Sequence, residues 1–135
     1  MRKLLIVGFL FVHVCLHAQD TTVNTANDSS TGADVEAQFP GGQQGWFKFL
    51  NKNVHMDVPS QNNAPIGKYT VTVSFLVDTT GKISHLQVED NPGYGTAEDV
   101  LKAFKHSPNW IPATKNGKPV IYREVQHVTY MVTQQ

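Results

Sequence analysis

The chain has 135 residues, of which 40% are hydrophobic, enough for one domain with one core, and its eleven basic and eleven acidic side chains cancel. That balance leaves no electrostatic footprint for nucleic acid and no basic surface for a membrane. A single cysteine, Cys15, excludes a disulfide framework.

Met1-Arg2-Lys3 opens the chain, an apolar run follows over residues 4–16, and His17-Ala18-Gln19 ends it. A basic start, a short hydrophobic run and a small residue before a polar stretch predict a secretory signal peptide over residues 1–18, cleaved after Ala18. Cys15 lies inside it. Lipid anchoring there is not expected, because Val14 stands where a lipoprotein signal places a small residue. Residues 19–36, QDTTVNTANDSSTGADVE, carry only scattered apolar side chains and are expected to form a flexible tail, since burial cannot offset their ordering entropy. The domain is therefore expected over residues 37–135.

Phe39-Pro40-Gly41-Gly42 breaks the tail, and residues 43–54 read as a helix with Trp46, Phe47, Leu50 and Val54 as its apolar stripe. Residues 55–67, punctuated by Pro59, Asn62-Asn63 and Pro65, read as a loop. The clearest pattern is KYTVTVSFLV, residues 68–77. Tyr69, Val71, Val73, Phe75 and Val77 alternate with more polar neighbours, which specifies a strand with one buried face. Asp78-Thr79-Thr80-Gly81 then turns the chain into an antiparallel partner over residues 82–89. There Ile83 falls on one parity and Leu86 and Val88 on the other, which calls for a β-bulge.

Asn91-Pro92-Gly93-Tyr94-Gly95 leads to a second helix, with Thr96 as the expected N-cap, Glu98 and Asp99 in the first turn, Lys102, Lys105 and His106 in the last, and Ser107-Pro108 as its stop. Residues 109–114 read as extended, Asn116-Gly117 as a tight turn, and residues 120–132 as a long last strand. Val128, Tyr130 and Val132 share one parity and Ile121 and Val125 the other, so a register shift is expected near residues 124–126. The order helix, strand, strand, helix, strand predicts an α+β two-layer sandwich: a three-stranded antiparallel sheet with two helices on one face. Thr70, Thr72 and Ser74 would line the other face, either wet or a contact surface.

Catalytic patterns are nearly absent. His55, His85, His106 and His127 form no i, i+4 pair and predict no metal site. Glu89-Asp90 and Glu98-Asp99 fit a turn and a helix start better than an acid/base pair. Gly93-Tyr94-Gly95 is too short for a phosphate-binding fingerprint, and Ser74, Ser84 and Ser107 occupy no nucleophile elbow. No cofactor is expected, and the chain does not read as an enzyme. Trp46 and Trp110 read as core before they read as a carbohydrate platform. What remains is the backbone edge of the last strand, where unpaired N–H and C=O groups can receive a strand from another chain. Arg123 and Glu124 would either guard that edge against aggregation or give pairing its selectivity.

Over residues 38–132 the sequence resembles the C-terminal domain of TonB-family energy transducers, in the form common among Bacteroidetes. The resemblance rests on Phe39-Pro40-Gly41-Gly42, Gly67 before Tyr69-Thr70-Val71, Val73-Ser74-Phe75-Leu76-Val77-Asp78 with Gly81 and Ile83, Asn91 with Gly93-Tyr94-Gly95, Pro108-Asn109-Trp110-Ile111-Pro112-Ala113, and Asn116-Gly117-Lys118-Pro119-Val120. It implies a periplasmic module that pairs its last strand with a short segment of a TonB-dependent outer-membrane receptor. The partner-facing residues would then be Tyr122, Arg123, Glu124, Gln126, Val128 and Tyr130. Val58-Pro59 stands where the family usually has Tyr-Pro. No transmembrane anchor is recognised and no long Pro-rich spacer lies between residues 19 and 38, so the module is expected to bind without its own energy-transducing anchor. Two other readings remain: a small periplasmic glycan-binding protein or hydrolase using the polar sheet face with Tyr94 and Trp110, and a homodimer formed through the last strand.

Overall fold

A computed structural model describes residues 32–134. The expected signal peptide, Cys15 and the tail up to residue 31 lie outside the described residues. The alternating segment forms β1 (Gly67–Val77), and Val71, Val73, Phe75 and Val77 are all buried. The return strand β2 (Ile83–Asp90) and the last strand β5 (Tyr122–Val132) flank it, giving an antiparallel sheet in the order β2-β1-β5. Asp78 closes the first turn: its Oδ1 accepts from the Thr80 N–H at 2.8 Å, the Thr80 hydroxyl at 2.6 Å and the Lys82 N–H at 3.0 Å. Gly81 adopts φ 87°, and a Cβ on it would stand 1.9 Å from the Trp110 carbonyl oxygen, so only glycine fits where the later chain crosses this turn.

Helix α1 (Gly42–Asn53) and helix α3 (Thr96–Phe104) both cover the face that carries Phe75. Phe104 meets the Phe75 ring at 5.2 Å and the Trp46 ring at 5.6 Å, so one aromatic cluster joins both helices to the sheet. The expected α+β sandwich is thus the observed one. Its apolar stripe on α1 differs in one position: Phe49, not Phe47, packs inward with Trp46 and Leu50, and Phe47 is 64% exposed. A 3.6-residue repeat places positions 46, 49 and 50 on one face and turns position 47 about 100° away.

Three further expectations give way. Residues 58–61, read as loop, form the one-turn helix α2 (Val58–Gln61), which Pro59 starts because a first-turn residue needs no N–H partner. Thr96 is not an N-cap but the first helical residue, fully buried, with its hydroxyl donating to the Gly93 carbonyl at 2.6 Å; Gly95, at φ 76°, stands at the cap. The last strand is shorter at its start than residues 120–132, because β3 (Ala113–Lys115) and β4 (Lys118–Val120) form a separate hairpin around Asn116-Gly117.

That hairpin holds the entering chain. Asp34 and Val35 N–H groups donate to the Thr114 carbonyl at 2.9 and 3.1 Å, and Gln38 and Ile111 exchange bonds of 3.0 and 2.7 Å. Among the described residues, Asp34 and Val35 of the expected tail are thus paired with the chain near Thr114. Among the described residues no helix is long and apolar enough to cross a membrane.

Candidate functional site

The two edges of the sheet differ in regularity. Along β2 the pairing with β1 slips between Thr72 and Val73 and again between Ser74 and Leu76, and His85 adopts φ 53°. These irregularities are the bulge expected from the parity of Ile83, and they twist that edge away from further pairing. By contrast β5 pairs with β1 without a slip from Gly67 opposite Val132 to Val77 opposite Tyr122. The register shift expected near residues 124–126 does not occur. Among the described residues no strand lies on the outer side of β5. Among the described residues it is a long edge strand, in continuous register with β1.

Continuous register fixes which way each predicted contact residue points. Residues opposite one another share a sheet face. Tyr122, Glu124, Gln126, Val128 and Tyr130 lie opposite Val77, Phe75, Val73, Val71 and Tyr69, on the helix side. Tyr122, Val128 and Tyr130 are buried there, so they offer a partner only backbone. Arg123 lies on the opposite face, where its Nη2 donates to Glu89 Oε1 at 2.8 Å. The Ser74 hydroxyl donates to the same carboxylate oxygen, and these bonds, the serine's first, hold the Glu89 carboxyl below its usual range. Both Arg123 and Glu89 are some 40% exposed, so this pair contributes little stability.

Glu124 and Gln126 are the two polar residues on the helix side of β5, and both are half-buried. They border an open groove of about 500 Å³ between the β5 rim and the start of α1. Its other walls include Phe39, Gln43, Trp46 and Trp110. The three aromatic rings stand 5.3 to 5.7 Å apart, centre to centre. Gln126 Nε2 donates to Glu124 Oε1 at 2.6 Å. Burial raises the Glu124 carboxyl above its ordinary value; the Gln126 bond opposes this and the charge of Glu36 adds to it. Sequence periodicity places Trp46 on a helix face but does not show that this face looks onto the rim of β5, so the groove is not legible there.

Elsewhere, Asp99 is buried at the start of α3 and gathers three groups. Its carboxylate accepts the His55 N–H at 2.8 Å, lies 2.8 Å from His55 Nδ1, and stands 3.0 Å from the Tyr130 hydroxyl. Burial, then the Asp99 charge, push the Tyr130 phenol far above its ordinary value. This network ties the α1 exit, α3 and β5 together. Neither carboxylate pair of the sequence forms a shared cleft: Glu89 is engaged on the outer face and Asp99 within the helix layer. Among the described residues no group of three or more His, Cys, Asp or Glu is placed to hold a metal ion. Trp110 is only 4% exposed, its indole N–H donating to Ser107 Oγ at 3.2 Å, and Tyr94 packs edge-on against Tyr69 rather than lining the groove. The two aromatics therefore make no common platform for a sugar.

No family model matches the chain, and no curated protein or solved structure matches it either.

Proposed function

We propose that this chain is a periplasmic protein-binding module that receives an extended segment of a TonB-dependent outer-membrane receptor, or of another envelope protein, as an added strand along β5. The observation that carries the reading is the contrast between the two edges: β2 is bulged, whereas β5 is in unbroken register with β1 over eleven residues and is the last strand of the sheet among the described residues. Main-chain hydrogen bonds would supply affinity there, and side-chain pockets beside the edge would supply selectivity. The resemblance of residues 38–132 to TonB C-terminal domains supports the choice of partner, and the secretory pattern of residues 1–18 supports the compartment.

A photo-reactive residue placed in turn at Val125, His127 and Thr129, all exposed on the outer face of β5, tests this in intact cells. The reading expects capture of one envelope protein from these sites, and its loss when proline at position 125 or 126 blocks the outward amide. Capture that survives both prolines would overturn it.

A further inference from the structure

The groove beside the rim gives the added strand a chemistry, an inference that rests on the strand-addition reading above. A strand laid along β5 would project alternate side chains toward the helices, and those opposite Glu124 and Gln126 would enter the groove. Its walls combine a half-buried carboxylate with aromatic rings, and among the described residues no lysine or arginine lines it. Among the described residues Glu124 has no ion-pair partner; Arg123, its chain neighbour, lies on the other face with Glu89. A carboxylate partly removed from water and unmatched by a cation is costly, and a cation brought by a partner would offset that cost.

We propose that the groove selects an added strand carrying arginine, or more weakly lysine, on its helix-facing side, with the cation meeting Glu124 and the side-chain stem lying against Trp46. Arginine fits best because its planar guanidinium stacks on an aromatic face while its N–H groups reach the carboxylate oxygen that Gln126 leaves open. The raised carboxyl of Glu124 and the nearby charge of Glu36 favour the same sign of ligand. Partner binding would then weaken as pH falls and Glu124 takes up a proton.

The test selects binders to the full chain from a displayed library of random nine-residue peptides. The expected result is a basic residue enriched at one fixed position. Replacing that arginine by citrulline should weaken binding to the wild-type chain about ten-fold, the worth of one charge-assisted contact. Against Glu124→Gln the arginine and citrulline peptides should bind alike, and Glu36→Gln should narrow their difference only in part. Equal affinities on the wild-type chain, with β5 amides still protected from hydrogen exchange by the peptides, would overturn the cation inference and leave strand addition standing. Peptides that bind without protecting β5 amides, a library with no binders, or a chain whose β5 edge is already closed by a second copy would overturn strand addition and the cation inference together.

Discussion

Phe75 and Glu124 stand directly opposite one another on β1 and β5, so a carboxylate occupies a position that in the sheet centre belongs to the core. The phenylalanine is buried under Phe104 and Trp110, while the glutamate, one strand further out, borders the groove. Burial raises the Glu124 carboxyl, so the folded state binds its proton more readily than the unfolded state does. Stability attributable to this residue therefore falls as pH rises from the unfolded carboxyl value through the folded one. Glu124→Gln should raise the urea midpoint at neutral pH, and that advantage should shrink as pH falls from the raised folded value to the ordinary carboxylate one.

Asp78 has the opposite sign. Its bonds from the Thr80 hydroxyl and N–H hold its carboxyl below the usual value, so its contribution is present above that value and is lost as pH falls through the folded one. The acid limb of a pH–stability curve should be flatter for Asp78→Asn than for the wild-type chain.

Two glycines separate backbone strain from steric conflict. Gly81 and Gly93 have nearly equal φ, 87° and 88°, yet a Cβ at Gly81 would meet the Trp110 carbonyl whereas nothing lies within 4 Å at Gly93. Gly93→Ala should cost about 1–2 kcal/mol, the price of a left-handed alanine. Gly81→Ala should cost about 1–3 kcal/mol more, because the turn and residue 110 must also move apart. Urea denaturation of both variants measures the difference.

The buried carboxylate of Asp99 should weigh more than any surface ion pair. Tyr130→Phe removes one of the three groups it gathers and should cost about 1–3 kcal/mol. Asp99→Ala, which strands the His55 N–H and leaves the buried Tyr130 hydroxyl only the Thr96 carbonyl at 3.2 Å, should cost about 2–5 kcal/mol. Thermal or chemical unfolding of the two variants checks the order.

How far the sequence reveals this structure depends on whether one periodicity governs a segment. In β1, buried Val71, Val73, Phe75 and Val77 follow a strict alternation, and strand, face and following turn are all legible. In β5 the same alternation runs through Glu124 and Gln126, and polar residues on the inner parity imitate a register slip that does not exist. They are tolerated because this side of the rim opens onto the groove beside α1, a tertiary fact that no local pattern encodes. Residues 58–61 make too short a helix to show a period, and the neighbouring Trp46-Phe47 pair leaves open which ring turns inward. The edge as a candidate site was therefore visible from strand order alone, whereas the groove needed the folding of α1 and residues 37–39 beside it.

Amide hydrogen exchange along β5 tests the central claim most directly. In the dilute free chain, alternate amides of β5 should exchange quickly, those turned away from β1, while their neighbours bonded to β1 stay protected. A bound receptor segment or selected peptide should slow that fast set and little else. Fast amides that stay fast when the peptide binds, or an outer set already protected in the free monomer, would contradict the account.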